Sequence, residues 1–207
     1  MLTLKRSVLY NKPMEYILAS GSPRRVELFK KITENFTVIP SGADESLSNF
    51  FSEEEQKERL LSRPFEISVA IASAKAEDVA KTHTDALVLG ADTGVFLDGE
   101  MIGKPKDEED AKRMLAKLSG RAHKVITGFC VIYNGKKLCG YDVTTVYFNA
   151  LTSDEINSYV KSGLCMGKAG AYGIQDGYNL VERIDGDYYN VMGFPVEAIK
   201  NLIEKVI

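Results

Sequence analysis

Apolar positions along this chain follow two rhythms, and the switches between them mark out its elements. Tyr16-Ile17-Leu18 is a short apolar run of strand type, interrupted by Ser20-Gly21-Ser22. Pro23 then suits a first helical position, where its missing N–H costs nothing, and Ser22 suits the N-cap before it. Leu28, Phe29 and Ile32 share one face of the helix that follows, which is predicted to end between Thr33 and Asn35. Phe36 to Pro40 reads as a second strand. Ser52 with Glu55 forms a capping box for a short helix ending around Leu61. Pro64 opens a longer helix with Ile67, Ala70, Ile71 and Ala74 at helical spacing and Lys75 beside that stripe. Ala86 to Gly90 is a continuous apolar run short enough for a buried strand, delivering Asp92 at its C-terminal end.

Gly94 to Leu97 and the Asp98-Gly99 turn read as a strand entering a hairpin, and Lys104-Pro105 as an extended element. Asp107 to Leu118 is amphipathic, with Ala111, Met114, Leu115 and Leu118 as its apolar stripe and Gly120 as its stop. Two β-rich runs, Lys124 to Tyr133 and Lys137 to Phe148, are joined by Asn134-Gly135, the strongest hairpin signal in the chain. Thr152 with Glu155 is a second capping box, for a helix that buries Ile156, Tyr159 and Val160 and closes at Gly163. Residues 164–180 are glycine-rich and aperiodic, as in a long functional loop. Tyr178 to Ile184 reads as a strand, and Pro195 opens a terminal helix with Val196, Ile199, Leu202, Ile203 and Val206 facing inward. Strands and helices alternate first and an antiparallel hairpin comes later. This predicts an α/β fold with a mixed sheet, not a doubly wound parallel one. No repeat or linker divides residues 14–207, which read as a single domain preceded by an extension over residues 1–13.

Charge narrows the function. The net charge of −3 argues against nucleic-acid or membrane-surface binding, so a polyanionic ligand has to be met by a local cluster of cations. Cys130, Cys139 and Cys165 are odd in number and lack CxxC spacing, indicating neither a disulfide framework nor a cysteine zinc site. No secretory signal or span of transmembrane length is found, and the chain reads as cytoplasmic.

Phosphate loops, HExxH zinc motifs and GxSxG nucleophile elbows are absent. His83 and His123 are isolated and read as structural or surface residues. A helix starting straight after a strand presents unpaired N–H groups and a positive dipole end to an anion, and Arg24 and Arg25 add bidentate donors there. Locally the same residues equally describe a capped surface helix with two solvated arginines. Asp92 stands where α/β sheets bind ligands, although a turn-forming aspartate also fits. Lys75 and Lys104, read alone, are surface lysines, and Glu45 a solvated loop carboxylate. Gln175 offers one amide donor side and one acceptor, matching the carbonyl and N–H edge of uracil or thymine.

The run Ala19-Ser20-Gly21-Ser22-Pro23-Arg24-Arg25-Val26-Glu27-Leu28-Phe29 resembles the signature of the Maf family of nucleoside triphosphate pyrophosphatases. Ala91-Asp92-Thr93, Gly103-Lys104-Pro105 and Lys168-Ala169-Gly170-Ala171-Tyr172-Gly173-Ile174-Gln175 follow in the family's order and rough spacing. The resemblance implies an elongated mixed sheet with two lobes around a deep cleft, akin to inosine-triphosphate pyrophosphatases. It also implies hydrolysis of a nucleoside triphosphate to the monophosphate and pyrophosphate.

Carried onto this chain, it makes Asp92 the proton acceptor, with Glu45 sharing a divalent Mg²⁺ or Mn²⁺ ion. Lys75 and Lys104 become cleft lysines, with Ser20, Ser22, Arg24 and Arg25 around the phosphates. The combination of Arg24, Thr93 and Gln175 is that of the branch acting on dTTP and UTP. Departures are Gly167 for an aspartate, Asp176 for a glycine, Asp187 for a serine, and no tyrosine near Lys75. The partner expected is the nucleotide, not nucleic acid or a membrane, with a homodimer left open. The rival readings are a nucleotide-binding regulator of cell division without strong catalysis, and an inosine-triphosphate pyrophosphatase.

Overall fold

The parallel part of the sheet is built from short apolar strands that helices return to one another. In the computed structural model, which describes residues 14–207, β1 (Tyr16–Leu18) pairs in parallel with β2 (Thr37–Val38) and with β3 (Leu87–Leu97). From β3 onward pairing is antiparallel, through β5 (Ala122–Tyr133), β6 (Lys136–Phe148) and β7 (Val181–Asp185). The short β4 (Glu100–Ile102) folds back on β3. Among the described residues this is one sheet of seven strands in the order β2-β1-β3-β5-β6-β7, with β4 off that path. The mixed α/β reading is right. The expected extension over residues 1–13 lies outside the described residues.

Both glycine hairpins form as the sequence predicts. Asp98 and Gly99 take φ of 51° and 78°, and Asn134 and Gly135 take 49° and 75°, the pair of positive angles that a tight hairpin turn requires. The capping boxes at Ser52/Glu55 and Thr152/Glu155 open α2 (Glu53–Ser62) and α5 (Ser153–Lys161). Asp107 caps α4 (Glu108–Leu118), and α7 (Val196–Val206) follows Pro195.

Other expectations need correction. The first helix, α1 (Pro23–Phe29), stops several residues early. Lys31 and Ile32 donate to the carbonyls of Leu28 and Phe29 in tight closing turns, and Phe36 packs edge-on against Phe29 at 4.7 Å. Ser22 occupies the cap position, but its hydroxyl makes no capping hydrogen bond. Asp92 lies within β3, not beyond its end, because β3 is one continuous strand through residue 97. Only the parallel partner stops: β1 pairs as far as Leu89, which leaves that side of Asp92 uncovered. A short helix, α6 (Tyr188–Val191), appears where no helical period is predicted, capped by Asp187 through the Tyr189 N–H. Cys130 and Cys139 face each other across β5 and β6, with Cα atoms 4.0 Å apart, and form a disulfide. Linear spacing hid this pair because the hairpin, not the local sequence, brings the two together.

The helix α3 (Phe65–Ala80) lies across β3 and β5. Its buried face is Ile67, Ser68, Ile71, Ala72, Lys75, Ala76 and Val79, rotated from the predicted stripe toward the small side chains. The reason is on the sheet. A Cβ on Gly90 would collide with the Ala72 carbonyl, and one on Gly128 would collide with Ser68. Two strand glycines therefore admit the helix backbone at contact distance. Beyond it, Val95, Leu115, Leu118, Tyr159 and Val160 belong to one apolar cluster, and Leu18, Phe29, Leu89, Phe194 and Ile199 to another.

His123 is buried at 2% exposure. Its Nε2 is 2.7 Å from the Tyr172 hydroxyl, and both rings meet Phe148 edge-on. Burial lowers its pKa from 6.5 to about 4. The unfolded chain therefore takes up this proton first, so the stability it contributes is complete above pH 6.5 and is lost as pH falls toward 4. The loss amounts to roughly 3 kcal/mol at most. Thermal unfolding across that window is expected to fall less steeply for His123→Gln than for the native protein, and parallel curves would refute the assignment.

Candidate active site

Close packing of α3 on Gly90 carries Lys75 to β3. The Lys75 Nζ donates to Asp92 Oδ1 at 2.8 Å and pairs with Glu45 Oε1 at 2.9 Å. Its side chain is only 10% exposed, against 17% for Asp92 and 49% for Glu45. Glu45 arrives on a loop that α3 itself fastens, since Asp78 Oδ2 accepts from the Gly42 N–H at 2.9 Å and from the Ser41 hydroxyl at 3.1 Å. One helix thus brings its own ammonium group to Asp92 on β3 and fastens the loop that brings Glu45 to it. Two carboxylates converging on one cation form a hard, all-oxygen set. Magnesium or manganese takes such a set when substrate phosphates complete the shell. No cluster of three or more His, Cys, Asp or Glu side chains able to hold an ion exists among the described residues.

Arg24 and Arg25 separate as adjacent residues on a helix must, about 100° apart. Arg25 is committed to the protein. It donates to the Gly193 carbonyl at 3.0 Å, the Ser20 hydroxyl at 3.2 Å and the Thr93 hydroxyl at 2.9 Å. Burial, aided by the Arg24 charge, lowers its pKa, with Asp92 and Glu45 opposing. Arg24 makes no hydrogen bond or ion pair among the described residues and lines the cleft. Desolvation lowers its pKa, with Asp176 acting the other way.

Two adjoining cavities of about 110 Å³ and about 360 Å³ share Ser22, Arg24, Arg25, Lys75 and Lys104 in their walls, which makes them one cleft. Asp92, Thr93 and Gln175 line the first, and Ser20 and Glu45 the second. Every candidate from the sequence therefore borders this cleft, although the Ser20 and Thr93 hydroxyls already serve Arg25. His83 and His123 line neither cavity. Lys104 is exposed on a loop that the glycine-rich segment holds, the Gly170 N–H donating to the Gly103 carbonyl at 3.0 Å.

Sequence reasoning missed two supports. Buried Asn190 donates to the Val125 carbonyl at 3.1 Å and the Thr144 hydroxyl at 2.9 Å. Thr127 joins its backbone carbonyl to Thr93, each link 3.1 Å long. The second support is Asp176, which pairs with Lys168 and accepts from the Tyr159 hydroxyl at 2.5 Å. Burial raises the Tyr159 pKa, so the phenol stays a donor. The only signal for Asp176 in the sequence was its departure from the glycine of the resembled pattern.

A family model described as Maf-like protein matches residues 15–206. A dTTP/UTP pyrophosphatase of Thermococcus gammatolerans is 45% identical over 189 residues, 91% of this chain and 95% of its own. Proteins with the same description from Aquifex aeolicus and Clostridium perfringens are 42% and 44% identical, covering 93% and 92% of this chain and 96% of each relative.

The unequal arginines give an expected outcome. Arg25→Ala should lower unfolding stability by roughly 2–4 kcal/mol, because it leaves three partners without a charged donor. Arg24→Ala should leave the melting temperature nearly unchanged but weaken binding of inorganic tripolyphosphate about tenfold or more. Calorimetry reads both, and equal effects of the two substitutions would contradict the division.

Proposed function

Since this chain belongs to the Maf-like protein family, we propose that it is a nucleoside triphosphate pyrophosphatase acting on dTTP and UTP in the cytoplasm. The observation that carries this reading is the convergence of Asp92, Glu45 and Lys75 at a cleft lined by the cations Arg24 and Lys104. It is supported by relatives described as dTTP/UTP pyrophosphatases across nearly the whole chain. As for location, no helix among the described residues is long and apolar enough to cross a membrane. The partner required is the nucleotide itself.

Hydrolysis at the α-phosphorus forms a bond to a water oxygen and breaks the bond to the oxygen bridging to the β-phosphorus. The water loses a proton and pyrophosphate departs. Asp92 accepts that proton. With Oδ1 held by Lys75, its second oxygen is the one to face the water. Lys75 keeps the carboxylate in place and adds positive charge beside the reacting phosphate. Arg24 and Lys104 meet the α-phosphoryl charge and the leaving pyrophosphate, where fixed cations count most. The Ser22 hydroxyl, free of capping, donates to phosphate oxygens. Gln175 faces the base. Glu45 and Asp92 are the residues to hold a divalent ion, which when bound lowers the pKa of water and offsets phosphate charge.

The test is product analysis with UTP and dTTP. Pyrophosphate and the monophosphate are expected, with loss of turnover in excess EDTA. Orthophosphate as product would overturn the assignment to the α-phosphorus, and full turnover in EDTA the metal. Asp92→Asn is nearly isosteric but cannot take the proton. It should retain the fold and nucleotide binding while losing about 10²–10⁴-fold in kcat. A loss below tenfold would reduce Asp92 to a structural residue.

A further inference from the structure

Asp176 and Gln175 are neighbours in the glycine-rich loop, and their hydrogen bonding has a direction. Asp176 Oδ2 accepts from the Tyr159 hydroxyl at 2.5 Å and from Lys168 Nζ. Its side chain is 5% exposed, and that of Lys168 is 9% exposed. The pair presses against Gly173, where a Cβ would come within 2.7 Å of both carboxylate oxygens and the ammonium nitrogen. Asp176 Oδ1 is left for the Gln175 amide, whose Nε2 donates to it at 3.0 Å. A salt-bridged carboxylate has acceptors only. The amide must therefore turn its NH₂ toward Asp176, leaving Oε1 and the second N–H for the cavity that Gln175 lines.

A free glutamine amide can flip, and the flip exchanges its donor and acceptor. From ring position 4 to position 3, uracil and thymine present an acceptor and then a donor. Cytosine presents a donor and then an acceptor. A flipping amide suits either base, whereas a fixed one suits only one of them. We propose that Asp176 is a specificity-determining positioning residue that locks the polarity of the Gln175 amide and so excludes cytosine nucleotides in favour of uracil and thymine nucleotides. This inference rests on the nucleotide pyrophosphatase reading of the cleft. Guanine presents the same acceptor-then-donor order as uracil. The lock therefore separates UTP from CTP and leaves UTP against GTP to the size of the pocket.

The test is kcat/KM for UTP, CTP and GTP in the native enzyme, Asp176→Asn, Gln175→Ala and the double variant. An asparagine can offer either a donor or an acceptor, so the lock is lost. The UTP-to-CTP ratio is expected to fall about tenfold in Asp176→Asn, while the UTP-to-GTP ratio stays within about threefold. With Gln175→Ala already present, Asp176→Asn should not move the UTP-to-CTP ratio further. A uniform fall for all three nucleotides, or an unchanged UTP-to-CTP ratio, would overturn the lock. So would an effect of equal size without Gln175.

Because Asp176→Asn strands Lys168, the native enzyme supplies an independent arm. N3-methyl-UTP lacks the donor that Oε1 requires and should be used at least about tenfold less well than UTP. Equal use of the two overturns the lock even where the variant does not fold. If the native enzyme releases no pyrophosphate from UTP, the underlying functional reading fails. If it does so without preferring UTP to CTP, the lock fails alone.

Discussion

Everything in the cleft depends on how closely one helix can approach the sheet. The backbone of α3 rests on Gly90 at Ala72 and Ala76 and on Gly128 at Ser68 and Val69. A larger residue at either glycine would lift the helix from the sheet. The ammonium of Lys75 would then no longer reach Asp92 at 2.8 Å, and the loop tied to Asp78 would carry Glu45 away with it. Packing and electrostatics are thus one constraint: the absence of two methyl groups on the strands sets a charge geometry on the next element.

That geometry also explains how a chain of net charge −3 can receive a triphosphate. The positive groups are local and unequal in role. Arg25 spends its donors on Ser20, Thr93 and Gly193 and behaves as a fastener. Lys75 is balanced by two carboxylates. Arg24 and Lys104 are left facing the cleft. A long-range positive field is unnecessary when the wall supplies its charges at contact distance, where solvent screening is weakest.

What could be read in the sequence was whatever is settled within a few residues. Capping at Ser52 and Thr152, the amphipathic helix after Asp107, the Asn134-Gly135 turn and the stripe of α7 all depend on near neighbours, and they stand as read. The early stop of α1 depends on Phe36 packing against Phe29, and the continuity of β3 through Asp92 depends on β5 alongside it. Neither partner is visible in a local window. The same holds for Cys130 and Cys139, nine residues apart and joined only once the hairpin closes. At the site, the motif residues were legible because they lie in recognisable blocks. The grip of Asp176 on Lys168, Tyr159 and Gln175 was not, because it arises from the loop folding back on α5.

The bond from Arg25 to the Gly193 carbonyl spans 168 positions of the chain. A ribosome makes the glycine long after the arginine. Until that carbonyl emerges, Arg25 lacks one of the three anchors that hold it between β1 and β3, and the wall of the cleft is incomplete. The nascent chain can assemble its hairpins in order of synthesis, but the cleft closes only after Gly193 has been translated. Order of manufacture is therefore built into the site: a prematurely terminated chain can hold every motif residue through Gln175 and still lack a finished pocket.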